Sequence, residues 1–434
     1  LIERHPGGST ALVNARVSFY IFLCYTFFKW CESSLINKVI ITLGKGKIMS
    51  KRGYIMQFAF ISVFLIIYGL LVYYIGIRGF HSINAQIPIN KIAYWLIVIF
   101  LASAYIIGMA GRNNLPEGPA RFFSTVGGYW IAGFVYLLGF VIIFDIFGFL
   151  ARRLNALPAV IRNNTWFMAF CVIAAVAILL AVGTYNAMVP RVREYTIAID
   201  KKAGDLKSLK CAMISDIHLG EIIGRDRLRT AVEMINSMEP DLVVIAGDLF
   251  DGSVKPVRNQ NMLKELEGIK SKYGTYAVMG NHEHYADAMD EITELMEAAG
   301  VTVLRDKKVK IADSFYLLGR EDMDGRRFGY VRADLSEMLK DADTSLPVIV
   351  LDHQPSGLSE PRKAGVDLQL SGHTHGGQFF PANLVTNMMF EEDYGYLKDG
   401  SFNLVVSCGY GTWGPTVRIG SQSEVVRLNI DFLK

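Results

Sequence analysis

Cysteine is scarce in this chain: five residues in 434, scattered at Cys24, Cys31, Cys171, Cys211 and Cys408. That spacing excludes a disulfide framework of the kind small secreted domains need, and it excludes a metal cluster held by thiolates. Such usage agrees with a reducing compartment without requiring one. Surplus charge is also missing, since 44 Lys and Arg stand against 41 Asp and Glu, a net charge of +3. With no long basic run in the carboxyl-terminal half, nothing supports a nucleic-acid-binding surface, and no stable nucleic-acid partner is expected. Repeats and low-complexity tracts do not stand out. Histidine is sparse too, at eight residues, so its placement carries information.

The apolar residues that are present divide the chain at about Pro190. Before that point four runs, residues 55–77, 92–111, 128–150 and 167–189, are each long enough for a helix of about 20 residues to cross a hydrocarbon core of about 30 Å. Tyr73, Tyr74, Tyr94, Trp95, Tyr129, Trp130 and Trp166 fall towards the ends of these runs, where interfacial rings belong. The organisation expected is therefore a leader over residues 1–48, a four-helix transmembrane domain over 49–190 and a folded domain over 191–434. Met49 ahead of Ser50-Lys51-Arg52 reads as a natural start, which makes the leader non-native or disordered. The apolar run 17–28 is short for a span and lacks the flanks of a cleaved signal peptide. Asp145, near the end of the third run, reads as a solvated or snorkelling residue, and the four-helix region shows no paired charges in sequence. Lys51, Arg52, Arg112, Arg121, Arg191, Arg193, Lys201 and Lys202 would share one side, against Arg78, Lys91, Arg152, Arg153 and Arg162 on the other. That bias favours a cytoplasmic carboxyl-terminal domain.

From residue 191 short apolar runs alternate with helix-like stretches: strands at 211–215, 242–246 and 275–279, helices around 227–238, 260–271 and 288–299. This is the pattern of βαβ units. After Val301 strands dominate, at 301–304, 315–318, 348–351, 368–370, 404–407 and 425–430, and a second sheet packed on the first is expected. Six of the eight histidines, His218, His282, His284, His353, His373 and His375, lie in or beside five polar motifs, most of them where an apolar run ends. The motifs are Ser215-Asp216-Ile217-His218, Gly247-Asp248-Leu249-Phe250-Asp251, Gly280-Asn281-His282-Glu283, Asp352-His353 and Gly372-His373-Thr374-His375. Carboxylate and neutral imidazole suit borderline divalent ions such as manganese, iron or zinc.

In this order, across Asp216 to His375, the motifs resemble those of the calcineurin-like metallophosphoesterases, and the likeness covers essentially the whole carboxyl-terminal half. The run Ser371 to Gln378 with Ser407 to Thr412 is similar to the membrane-associated bacterial branch and the transmembrane members. The resemblance implies an N-terminal α-helical membrane domain followed by a four-layer α/β/β/α sandwich with two central mixed sheets. It further implies two divalent metal ions, the first held by Asp216, His218, Asp248 and His375, the second by Asp248, Asn281, His353 and His373, with Asp248 bridging. The implied nucleophile is a metal-bridging hydroxide that attacks phosphorus. His282 would contact the substrate phosphate and protonate the leaving alkoxide, Asp251 would orient that imidazole, and Asn281 would lie at the substrate as well as the metal. Glu283 reads as loop support and His284 as a substrate contact or a bystander. Arg320, Arg326, Arg327 and Arg418 are candidates to grip phosphate, and Gly376 and Gly377 allow close backbone approach.

In protein serine/threonine phosphatases an Arg follows the Gly-Asp-x-x-Asp motif. Here Gly252 follows Asp251, which argues against a protein substrate. A membrane anchor favours a lipid-linked phosphomonoester, phosphodiester or pyrophosphate, with the lipid bilayer as partner. The alternatives are a membrane-bound nucleotidase or nuclease, or a non-catalytic sensor or transporter carrying a phosphoesterase-like domain.

Overall fold

The computed structural model describes residues 51–111, 114–154 and 165–433; the expectations for residues 1–48 and the Met49 start lie outside them. The chain forms two compact units, divided between Val182 and Gly183. In the first, helices α1 (Lys51–Asn84), α2 (Lys91–Gly111) and α3 (Glu117–Arg153) are followed by α4 (Thr165–Met188), whose last residues cluster with the second unit. All four helices are long and apolar enough to cross a membrane. Large apolar side chains such as Phe58, Ile66, Leu96 and Ile178 are exposed, as a lipid-facing surface requires. Inside, Trp130 Nε1 donates to Tyr68 Oη at 2.8 Å and Tyr68 donates to the Ala102 carbonyl at 2.9 Å, tying three helices together by groups that lipid could not satisfy. One expectation is corrected here: Asp145 is paired, accepting from Tyr74 and forming an ion pair with Arg78. The partners lie on different helices, so sequence spacing could not reveal the pair.

The second unit carries two six-stranded mixed sheets. Its strands are β1 (Arg191–Ile199), β2 (Ser208–Ile214), β3 (Leu242–Ala246), β4 (Thr275–Val278), β5 (Val301–Val303), β6 (Lys307–Ile311), β7 (Phe315–Gly319), β8 (Val348–Leu351), β9 (Leu368–Ser371), β10 (Gly395–Asp399), β11 (Phe402–Val406) and β12 (Glu424–Phe432). The first sheet runs β1-β12-β2-β3-β4-β5 and the second β10-β11-β9-β8-β7-β6. Period-two alternation sorts their residues by face. Leu209, Cys211, Met213, Val244, Leu317, Ile349, Leu370, Leu428 and Ile430 meet in the core between the sheets. Ala212, Ile214, Val243 and Ile245 turn the other way, onto α5 (Arg225–Ser237) and α7 (Met289–Ala298), while Leu318, Val348, Val350 and Leu404 bury the far face of the second sheet. The outcome is the expected four-layer sandwich.

Central strands, apolar on both faces, are the ones the sequence pattern finds. β1, β6 and β10 escape it because they are sheet edges with mostly exposed, polar side chains. The helix expected over 260–271 is also corrected: only a short 3₁₀ turn, Met262–Gly268, forms there. Asn261 just before it takes a left-handed backbone (φ 46°), which breaks helical continuity.

Candidate metal centre

The parallel strands β2, β3 and β4 end side by side, followed by Asp216 and His218, by Asp248, and by Asn281 on the short helix α6 (Asn281–Tyr285). In the second sheet β8 and β9 deliver His353, His373 and His375 in the same way. Asp216, His218, Asp248, His373 and His375 all hold left-handed backbone angles, with φ between 52° and 75°. For residues with a Cβ that conformation costs about 1 kcal/mol or more each, and strain of this kind concentrates where function over-determines the chain. Two glycines make the crowding possible: a Cβ on Gly280 would lie 2.2 Å from Asp248 Oδ1, and one on Gly372 would lie 2.3 Å from Asp216 Oδ2.

The donor atoms form two sets. In one, His218 Nε2 and His375 Nε2 stand 3.0 Å apart, His375 Nε2 is 3.5 Å from Asp216 Oδ1, and His218 Nε2 is 3.9 Å from Asp248 Oδ2. In the other, His353 Nε2 is 3.2 Å from both Asp248 Oδ2 and Asn281 Oδ1, and His373 Nδ1 is 2.8 Å from that same amide oxygen. Asp248 Oδ2 belongs to both. His353 Nδ1 donates to the Ala246 carbonyl at 2.8 Å, which turns the lone pair of Nε2 towards the centre. This donor set, buried and convergent on oxygen and imidazole nitrogen, fits divalent metal ions.

The charges are mutually dependent. Burial opposes ionisation of Asp248, yet the imidazoles of His353, His282 and His218 outweigh it and hold its carboxyl well below the usual carboxylate range. At Asp216 burial dominates and pushes the carboxyl up. Burial, His218 and Arg418 together hold His375 well below the ordinary histidine value, whereas at His353 the charges of Asp248 and Asp216 overcome burial and hold the imidazole well above it.

Beside these sets lies His282, its ring 4.5 Å from that of His218 and its Nδ1 3.3 Å from Asp251 Oδ1. Burial lowers its basicity, but the negative charges of Asp248 and Asp251 leave it raised. Its backbone N–H donates to Asp248 Oδ1 at 2.9 Å. Glu283 is buried and accepts three backbone N–H groups, from Asp248 (3.1 Å), Phe250 (2.8 Å) and Gly280 (2.7 Å), so one carboxylate fixes the β3 and β4 loops together.

Other expectations change. His284 is buried, with Nε2 2.8 Å from Glu321 and its ring against Phe328 and Tyr330, which removes it from any substrate. Arg418 is wholly buried and does not face a phosphate. Its Nη2 donates to the carbonyls of Cys408 (2.7 Å) and Gly411 (2.6 Å), supporting the loop behind His375. Arg320 is likewise buried, in a two-pronged pair with Glu360 at 2.8 and 2.9 Å. Arg326 and Arg327 are exposed; Arg327 pairs with Asp324 at 3.4 Å, and Arg326 lines a small cavity with Arg320 and Arg332. Gly377 does admit a close approach, to Asn383, whereas Gly376 meets only ordinary contacts. One residue escaped the sequence reading, and the role of another, Asp352 of the fourth motif, was not read there. Asp322, buried and held by Gln354 Nε2 at 3.0 and 3.1 Å, has its carboxyl pushed up to about 7 by burial. Asp352 Oδ1 accepts from Arg332 Nη1 at 3.0 Å. The polar residues after β7 were the available signal for the first.

With this geometry the comparisons agree. Residues 209–377 match the family model for calcineurin-like phosphoesterases. An Aquifex aeolicus metallophosphoesterase is 37% identical over 246 residues, 55% of this chain and 91% of that one. A Helicobacter pylori metallophosphoesterase is 29% identical over 375 residues, covering 85% of this chain and 98% of the relative. A zebrafish transmembrane protein with a metallophosphoesterase domain is 29% identical over 350 residues, 77% of this chain and 80% of that protein. The fold and the site define an α/β domain of phosphoesterase type with apolar amino-terminal helices. The chain belongs to the calcineurin-like metallophosphoesterase family.

Proposed function

We propose that this chain is a membrane-anchored hydrolase of phosphoric esters that works with two divalent metal ions, and that its substrate is lipid-linked. The observation that carries the reading is Asp248 Oδ2, shared between two donor sets with His282 and Asp251 alongside. Asp216, His218, Asp248 and His375 would hold one ion, and Asp248, Asn281, His353 and His373 the other; manganese, iron and zinc all suit these donors. Bound there, the ions would supply Lewis acidity and lower the pKa of water. Asn281 contributes a neutral oxygen, so the second set keeps its electrophilic character. His282, with Nδ1 turned to Asp251, holds a proton on Nε2 for the leaving alkoxide. Four apolar helices support a substrate in or near the bilayer, and the distribution of Lys and Arg supports a cytoplasmic catalytic unit.

The test is turnover by purified full-length protein in detergent, with manganese, zinc or iron, on bis-p-nitrophenyl phosphate, p-nitrophenyl phosphate, nucleotides and a panel of lipid phosphates. Preference for the lipid panel supports the reading; preference for nucleotides would replace the substrate class. His282→Ala is expected to lower turnover of alkyl esters about 100-fold or more, as loss of a general acid does. Nitrophenyl esters should suffer much less, because nitrophenolate leaves without a proton. Equal losses on both would remove His282 from the acid role.

A further inference from the structure

A second feature of the catalytic unit has no part in the metal chemistry. Immediately beyond the His375 loop lies the helix α8 (Ala382–Met389), preceded by Phe379-Phe380-Pro381. Phe380, Leu384, Met388 and Met389 are all exposed, Met388 by 84%. Four large apolar side chains within ten residues would each gain from leaving water, at about 25 cal/mol per Å² of apolar surface buried. The helix cannot roll to bury them. It is pinned by Thr386 and Asn387, both donating to Asp393 Oδ2, the latter at 3.0 Å. At Gly377 (φ 73°) a Cβ would come within 2.2 Å of Asn383 N, so the helix is seated directly on the metal loop.

The neighbourhood of α8 says what covers it. Phe380 N donates to the Ile419 carbonyl at 2.8 Å, and Phe379 bridges Ile419. The same loop receives the end of α4, the fourth of the helices apolar enough to cross a membrane. Arg418 N donates to the Gly183 carbonyl at 2.8 Å, Asn186 Nδ2 to the Arg418 carbonyl at 3.2 Å and Ser423 Oγ to the Ala187 carbonyl at 2.8 Å. At that helix end Tyr185, Met188 and Val189 are exposed apolar residues as well, with Val192 and the exposed Arg193 just beyond. One loop, residues 418–423, therefore holds both the start of α8 and the last turn of α4, and exposed apolar side chains flank it on both segments. Among the acids beside the helix, Glu391 is paired with Arg362, Asp393 is spent on the helix itself and Glu392 is half-buried.

We infer that α8 is an interfacial helix of the catalytic unit, with Phe380, Leu384, Met388 and Met389 inserted among the headgroups and upper acyl chains of the bilayer that α4 crosses. The ring of Phe390, at the end of α8, lies 6.1 Å from that of His373, which ties the helix to the metal centre. The inference goes beyond the hydrolase reading and does not depend on it.

The experiment places a single environment-sensitive label on the full chain, with Cys24, Cys31 and Cys171 replaced by Ser, at Met388→Cys or, as an aqueous reference, at Val331→Cys, also highly exposed. The protein is reconstituted in vesicles of phosphatidylcholine and phosphatidylglycerol. The Met388 label should be quenched several-fold more strongly by nitroxide-bearing lipid than by aqueous iodide, and the Val331 label should show the reverse. Strong iodide quenching at Met388 would overturn the inference, and so would protection from both quenchers, which would put a second copy or another protein over the helix. No substrate enters the readout, so its failure and that of the hydrolase reading are distinguishable.

Discussion

Asp248→Asn is expected to lower metal-dependent hydrolysis of bis-p-nitrophenyl phosphate by about a thousand-fold or more, equivalent to about 4 kcal/mol of transition-state stabilisation. The substitution keeps size and shape, and the acceptor for the His282 backbone N–H survives at Oδ1. What it removes is the charge at Oδ2, the one atom that faces both donor sets. A neutral amide can complete one shell but cannot serve as an anionic bridge between two cations. The variant should fold, as judged by its melting transition, and bind fewer ions per chain than the parent. Wild-type turnover with intact metal loading would mean that the two sets do not act as one centre.

The second large effect is expected from a residue that does no chemistry. Glu283→Gln replaces one of two oxygens that together accept three buried backbone N–H groups. An amide N–H₂ then faces backbone donors, leaving at least one of them without an acceptor. The cost is about 3 kcal/mol, within the range for buried unsatisfied groups. For a domain of this size that lowers the melting temperature by roughly 6–12 °C. Because the same carboxylate positions Asp248 and the α6 loop, metal affinity should also fall about 10- to 100-fold. Calorimetric melting and a manganese titration measure the two effects separately. A melting temperature within a degree of the parent would refute the assigned role.

These two residues mark what can be read from sequence and what cannot. Asp248 stands out because a strand-end carboxylate followed by another three positions on, in company with histidine-rich motifs, has few purposes. The strands behind it stand out because burial on both faces leaves an unbroken apolar run. Glu283 belongs to a motif and reads as loop support, but which loops it joins depends on where the β3 loop lies, and that is a fact of tertiary structure. Arg418 is the sharper case. In sequence a late arginine between glycines suggests a phosphate ligand; in the fold it is enclosed by carbonyls, and its charge acts on His375 from behind. Arg78 and Asp145 pair across helices with no spacing to announce it. Edge strands with polar faces likewise carry weak periodic signals because their surroundings set their character, and a helix as short as α8 spans too few turns to stand out.

The most direct test of a dinuclear hydrolytic centre is to strip the full-length chain of metal in detergent and titrate it with manganese. Bound ions per chain and hydrolysis of bis-p-nitrophenyl phosphate are followed together. The account predicts that two ions bind and that turnover appears as the second site fills. Full loading without turnover on any ester of the panel, or full turnover with a single ion bound, would contradict it.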